Sequence, residues 1–349
     1  MKTSISVAEL WPQLAQGRVL IDVRSPSEYA HGHIPEAVSM PLFSDEERAK
    51  VGTLYKQVSP ESALLKGLDF VGPKMSGFVK WAKKLAPDRL VVVHCWRGGQ
   101  RSGSIAWLLR LAGFDVVTLQ GGYKAYRNYI LEQFAIQPKH IIILGGRTGV
   151  GKTIILHELT KQGQQVIDLE RLADHKGSAF GWIGEQNQPS VEYFENQLFS
   201  VFRQIDPERI VWVENESRAI GTVFIPEPFW EQMKKAPLVN VILPIEARIA
   251  HLVQIYTQES KADLVASFQK ISRKLNDKLR TALEALDRDD YTAAAEIALK
   301  YYDKTYQHGL DESTAPHILN LEADALHAPN IAKKLVALVN QTTIGTGKQ

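Results

Sequence analysis

Cysteine is almost absent: among 349 residues only Cys95 carries a thiol, so neither an internal disulfide nor a thiolate metal cluster can form. A lone cysteine is usually a small buried apolar residue, and its neighbours must decide whether it is reactive. Long apolar runs are missing as well. Runs such as 90–93 and 141–144 fall far short of the ~20 residues a membrane-spanning helix needs. The opening MKTSISVAELWPQ holds no signal-peptide apolar core, and the expectation is a cytoplasmic protein. Net charge is only +2, so composition does not by itself announce a nucleic-acid binder.

What is present is ordinary for a globular chain able to bury a core: 44% hydrophobic and 23% charged residues. At roughly 100–200 residues per domain, the length predicts two domains. Charge is unevenly divided. Residues 1–134 hold 17 Lys and Arg against 12 Asp and Glu, whereas residues 135–349 hold 24 against 27. A basic first half permits RNA contact without demanding it.

Short apolar segments at 19–23, Leu90–His94 and 116–119 read as strands, with a helical pattern at 102–111. Strands alternating with helices predict a parallel-sheet α/β domain. The pattern restarts after Pro138, with strands at 140–144, 165–169, 209–213 and 239–243 and helices at 152–162 and 190–204. The predicted domains are therefore 1–134 and 138–342, the latter a P-loop NTPase-like α/β unit with a helical C-terminal part from about 260. Within that part, Leu264, Phe268, Ile271, Leu275, Leu279 and Leu286 share one face of an expected helix over 264–286, and 292–305 predicts another. The last residues, TTIGTGKQ, read as a frayed tail.

Two segments carry chemistry. In VVVHCWRGGQRSGSIAWLL, Cys95 ends a strand and enters a Gly-containing turn that leads into a helix. Backbone N–H groups there form an anion cradle, and Arg97 and Arg101 add positive charge, all of which favours a thiolate. The second segment, GRTGVGKT at 146–153, fits G-x-x-x-x-G-K-[ST] between a predicted strand and helix. Gly146, Thr148, Gly149 and Gly151 let N–H groups approach phosphate oxygens, Lys152 neutralises charge, and Thr153 is placed to ligate Mg²⁺. Glu214 and Glu216, after strand 209–213, are candidate acids for a metal or a base, or else a strand-end pair facing solvent. Asp168 stands close enough in the pattern to reach the same cleft. Phe180 and Trp182, among glycines in GSAFGWIG, are candidates for a pocket that takes an apolar or aromatic group, whereas Phe194, Leu198 and Phe202 suit core packing. Arg218 and Arg248 follow strands as candidate phosphate clamps, with surface pairing the plain alternative.

LIDVRSPSEYAHGHIPEAVSMP, the loop 95–101 and LQGGYKAYR resemble the rhodanese family. That resemblance implies a chalcogen carried at Cys95 with Arg97 and Arg101 as electrostatic partners, and structural roles for Asp22, Arg24, Glu28, His33 and His94. A related phosphatase family uses a longer Cys-to-Arg loop; the short one here suits sulfur or selenium. The order CWRGGQRS, GRTGVGKT, GSAFG, VENESRAIG is similar to that of the tRNA 2-selenouridine synthase family, with Gln100 and Asn215 as departures where Met and Asp are expected. The resemblance implies an enzyme that geranylates wobble 2-thiouridine of tRNA with geranyl diphosphate, then replaces the geranylthio group using selenophosphate. It further implies a prenyl chain for the pocket at Phe180 and Trp182, no tightly bound cofactor, Mg²⁺ as a candidate ion, and a selenophosphate-producing enzyme as a candidate partner. Lys80, Lys83, Lys84, Lys270, Arg273 and Lys274 are the basic residues best placed for tRNA, although solvated helix faces explain each of them singly. The rival reading is a small-molecule kinase with a rhodanese sulfur-relay domain.

Overall fold

In a computed structural model of the chain, the described residues are 3–342 apart from 137, 139 and 186. They divide into two units, Met1–Gln133 and Phe134–Gln349. Phe134, at the end of the first predicted domain, belongs to the second: it packs edge-on against Phe199 and Phe202 at 6.3 and 5.1 Å. Of the predicted tail only Thr342 is among the described residues.

The first unit holds a five-stranded parallel sheet: β1 (Ser4–Ile5), β2 (Val19–Asp22), β3 (Val38–Ser39), β4 (Leu90–His94) and β5 (Asp115–Leu119), in the order β1-β5-β4-β2-β3. Val91, Val92 and Val93 are fully buried, as a strand covered on both faces requires. Chain direction along the sheet reverses between β2 and β4, the position where open α/β sheets place ligands beyond the strands' carboxyl ends. Cys95 follows β4 at this point. Helix Gln100–Leu111 begins two residues before the predicted 102, and it buries Ile105, Ala106 and Leu109. Between β3 and β4 lie three helices that the periodicity did not reveal, Asp45–Gln57, Pro60–Val71 and Met75–Leu85.

The second unit holds β6 (Ile141–Gly146), β7 (Gln165–Ile167), β8 (Val211–Glu214), the hairpin β9 (Ala219–Ile220) and β10 (Val223–Phe224), β11 (Leu238–Ile242) and β12 (Ile318–Glu322). Its main sheet is parallel with order β12-β11-β6-β8-β7. Central β6 is buried along its length and emerges between β8 and β11, so the Gly-rich turn opens at a reversal point in this sheet too. Helix Lys152–Lys161 buries Ile155, Leu156 and Leu159 against Ile331, Leu335 and Val339 of helix Ala328–Gln341.

Two features of the C-terminal part depart from the sequence pattern. The expected helix over 264–286 is broken into Lys261–Lys270, Ser272–Leu275 and Lys278–Asp287. Asn276 at φ 50° turns the chain, yet Leu264, Phe268, Ile271, Leu275 and Leu286 still reach one apolar cluster. The part from about 260 is also not wholly helical. Residues Ile318–Glu322 pair in parallel with β11 as an edge strand, before the final helix closes the core.

Candidate functional site

The cysteine loop is built by close backbone contact. Gly98 (φ +66°) and Gly122 (φ +59°) meet face to face, and a Cβ on Gly122 would lie 2.2 Å from the Cys95 carbonyl oxygen and 2.5 Å from the Gly98 nitrogen. Only glycine fits there. Tyr123 and Lys124 donate their N–H groups to the carbonyls of Cys95 and Trp96, both at 2.9 Å, which fixes the loop's base.

Cys95 is 3% exposed, with Sγ 3.3 Å from Ser102 Oγ. That hydroxyl also lies 3.1 Å from the Gly99 carbonyl, so its single proton chooses between the two. Burial pushes the thiol up, but the Ser102 hydroxyl and N–H, the Arg101 charge and the Arg97 N–H outweigh it and hold the thiol below its ordinary value. Arg101 is anchored to Glu28 at 2.6 and 3.3 Å, while the Arg97 side chain is exposed.

Beneath the loop, Arg24 grips Asp22 through Nε and Nη2 at 2.7–3.1 Å, donates to the Gly32 carbonyl at 2.7 Å and lies 3.8 Å from the centre of the Tyr123 ring. Both charges are buried. His94 stands 3.8 Å from Asp22, and burial favours its neutral ring. Glu28 closes a capping box on helix Pro26–His31 and seats Arg101, so one carboxylate joins two elements of the loop's frame. His33 stacks on Tyr29 at 3.9 Å. These polar residues support the loop and do not touch Sγ.

In the second unit, Gly149 (φ +86°) and Gly151 (φ +77°) shape a turn that ends in helix Lys152–Lys161. Parallel pairing of Leu144 with Glu214 brings the end of β8 beside it. Lys152 Nζ is 3.3 Å from Glu216, and Thr153 Oγ1 donates to Glu170 at 3.1 Å. The Glu170 N–H donates to Glu214 at 2.6 Å, and carboxylate oxygens of Glu170, Glu214 and Glu216 lie within 4.8 Å of one another. Burial, then the charge on Glu216, pushes Glu170 up to about 8; burial and the neighbouring carboxylates raise Glu214 well above its ordinary value. Burial would lower Lys152, but Glu216, Glu170 and Glu214 raise it. The acids therefore hold protons or a cation. A divalent ion with oxygen ligands fits the group, since Glu214 Oε2 is buried without a hydrogen-bond partner and Thr153 supplies a hydroxyl.

Glu170, which the sequence pattern does not single out, occupies the place in the cluster that the pattern offers to Asp168. Asp168 lines the same cleft, but its carboxylate caps helix Leu169–Ala173 through the Arg171 N–H at 2.9 Å and meets His157 at 3.2 Å. Asn215 is turned toward the Tyr306 hydroxyl instead of the acids. That hydroxyl accepts the Gly146 N–H at 2.6 Å and donates to Asn240 at 2.9 Å, holding the start of the turn from behind. Arg248 is no clamp in the cleft: it is buried, pairs doubly with Asp303 at 2.8 Å and donates to the Thr148 carbonyl at 3.2 Å. Arg218 pairs with Glu227.

The cleft over the turn has a volume of about 540 Å³. A narrow apolar pocket of about 60 Å³ shares Thr148, Ser178, Leu252, Tyr256 and Tyr302 with it and is lined further by Phe180 and Phe268. Phe180 thus faces the cleft's apolar end. Trp182 does not line it; its indole donates to Ser267 at 3.0 Å and its ring lies 4.4 Å from the Lys270 ammonium. Lys274 similarly covers Tyr301, at 5.5 Å, whereas Lys80, Lys83, Lys84 and Arg273 are exposed on their helices.

A thiolate-stabilising loop on one parallel sheet and a phosphate-binding turn on another define a rhodanese-like domain joined to a P-loop domain. Residues 6–129 match the rhodanese-like domain model, and residues 139–289 match that of the tRNA 2-selenouridine synthase AAA domain. Proteins named tRNA 2-selenouridine synthase from Shewanella loihica and Shewanella denitrificans are 33% and 32% identical, covering 93% and 90% of this chain and 95% and 94% of their own lengths. One of the same name from Sulfurovum is 40% identical over 66% of this chain and 64% of its own length. The chain belongs to the tRNA 2-selenouridine synthase family of enzymes.

Proposed function

We propose that this enzyme converts 2-thiouridine at the wobble position of tRNA into 2-selenouridine in two steps, one for each unit. In the first, the sulfur of 2-thiouridine attacks C1 of geranyl diphosphate; the C–O bond breaks and diphosphate leaves. In the second, water cleaves the P–Se bond of selenophosphate, leaving phosphate and hydrogen selenide, and that selenide attacks C2 of the S-geranyl base. The C2–S bond breaks with its electron pair on sulfur, and geranylthiol departs after protonation. S-alkylation matters because it converts a poor leaving group into a better one.

The observation that carries this reading is the cleft over 146–153, in which a cationic phosphate cradle shares five wall residues with an apolar pocket. A diphosphate bearing a hydrocarbon tail matches both ends. Lys152 and the N–H groups of the turn would bind the diphosphate, and the tail would lie along the cleft with its tip toward Phe180 and Phe268. Glu170, Glu214, Glu216 and Thr153 would hold Mg²⁺, which when bound supplies positive charge to the departing diphosphate. At the other site, the depressed thiol of Cys95 and the N–H groups around it suit a selenium anion, with Arg97 and Arg101 supplying charge.

The test is mass spectrometry of nucleosides from 2-thiouridine-containing tRNA incubated with enzyme, geranyl diphosphate and selenophosphate. The expected result is geranylated and then selenium-containing uridine. Lys152→Ala should abolish geranylation, and Cys95→Ser should let the geranylated base accumulate. Unchanged 2-thiouridine with folded enzyme would overturn the reading, and ATP turnover without tRNA would favour a kinase.

A further inference from the structure

A cavity of about 660 Å³ in the first unit lies beside the cysteine loop, within the size range of small-molecule sites. Helices Asp45–Gln57 and Pro60–Val71 form its walls, and the start of helix Gln100–Leu111 closes one end. Phe43, Val51, Leu64, Leu68 and Val71 give it an apolar lining. Leu64 and Leu68 are 49% and 57% exposed, an apolar surface that folding of the unit does not explain. Gly52 and Gly67 line the groove from the interiors of the two helices, where glycine is unfavourable for helix formation, and side chains there would narrow it.

We infer that this groove holds the geranyl group of the S-geranyl-tRNA intermediate while selenium replaces sulfur. The inference rests on the two-step reading above. Its first support is continuity with the selenium site: Arg101 lines the groove and also acts electrostatically on Cys95. The second is charge. Arg48 and Arg101 both lean on the single carboxylate of Glu28, at 3.7 and 2.6 Å, and with Lys56 they put three cations on the wall of a groove whose other lining is largely apolar. An apolar chain ending in a developing thiolate matches that polarity. As the C2–Se bond forms and the C2–S bond breaks, the pair left on sulfur faces these cations before water supplies the proton.

The test uses full-length enzyme with Gly52→Leu, which fills the groove and improves helix propensity, and Leu68→Gln, which makes an exposed position polar. Both should fold as the wild type does, checked by circular dichroism. Each should lower kcat/KM for selenation of S-geranyl-tRNA by about tenfold or more, the scale set by one misfitted methylene group in an apolar site. Geranylation of 2-thiouridine-tRNA should be unchanged. Added geranylthiol should inhibit wild-type selenation competitively and inhibit the variants at correspondingly higher concentrations. If both steps weaken together, the groove serves tRNA or protein docking and the inference fails. Unchanged selenation also overturns it. If the wild type makes no 2-selenouridine from S-geranyl-tRNA, the two-step reading itself falls, and the inference with it.

Discussion

At the scale of single residues, both sites work by setting which groups are charged. Cys95 is buried, which alone would keep it a thiol, so the hydrogen bonds from Ser102 and the Arg101 charge must overcome that burial. Arg101→Gln removes one of the lowering contributions. The midpoint of iodoacetamide alkylation of Cys95 against pH should therefore move upward; a fixed midpoint would show that the guanidinium serves only to hold Glu28. Glu170 titrates in the opposite sense. Between its ordinary value of 4.5 and about 8, the folded state keeps a proton that the unfolded state releases, so this group's contribution to stability falls as pH rises through that window. Glu170→Gln imitates the protonated form and should raise Tm by a few degrees at pH 8 and by little at pH 5, at roughly 2–4 °C per kcal/mol for a domain of this size. Mg²⁺ should raise the Tm of the wild type more than that of the variant. Equal Tm differences at both pH values would count against shared protonation. Cys95 and Lys152 are legible because motif spacing places them, whereas Glu214 and Glu216 read only as an acid pair that could equally face solvent. Glu170 is not legible: DLE offers two acids two residues apart, and only the helix cap formed by Asp168 decides which one faces Lys152.

At the scale of elements, backbone contact matters as much as side-chain chemistry. The turn at Gly121 and Gly122 supports the cysteine loop from below, and Gly122 has no room for a methyl group. Gly122→Ala combines a positive φ with a 2.2 Å clash and should reduce selenation by at least ~10-fold, through displacement of the loop by an ångström or so. Geranylation should survive, since the altered turn lies within the first unit; loss of both activities would mean that the unit's fold, not its loop, had failed. Elements with buried strands or a motif were readable from sequence. Helix Asp45–Gln57 was not, because none of its residues is fully buried and its apolar positions border a groove instead of a core. The break at Asn276 escaped for a different reason. The apolar spacing continues through it, since the three short helices bury the same face that one long helix would. Strand β12 is an edge with no fully buried residue, so no continuous apolar run announces it.

At the scale of the molecule, each parallel sheet presents its loop at a reversal point beyond the strands' carboxyl ends. The two-step reading assigns the units separate reactions joined by one tRNA-borne intermediate. It follows that defects in the two units should complement each other. Cys95→Ser retains the phosphate-binding turn and should make S-geranyl-tRNA without selenating it. Lys152→Ala retains the cysteine loop and should selenate S-geranyl-tRNA supplied to it, but not 2-thiouridine-tRNA. Mixed in one reaction with 2-thiouridine-tRNA, geranyl diphosphate and selenophosphate, the pair should produce 2-selenouridine that neither makes alone. The rate should rise with the concentration of Lys152→Ala, because the intermediate must pass from one protein to the other. Failure of the mixture, with both single-step activities intact, would mean that the intermediate never leaves the enzyme that forms it. The two units would then have to act on one bound tRNA, with the geranyl chain moving between stations in a single complex.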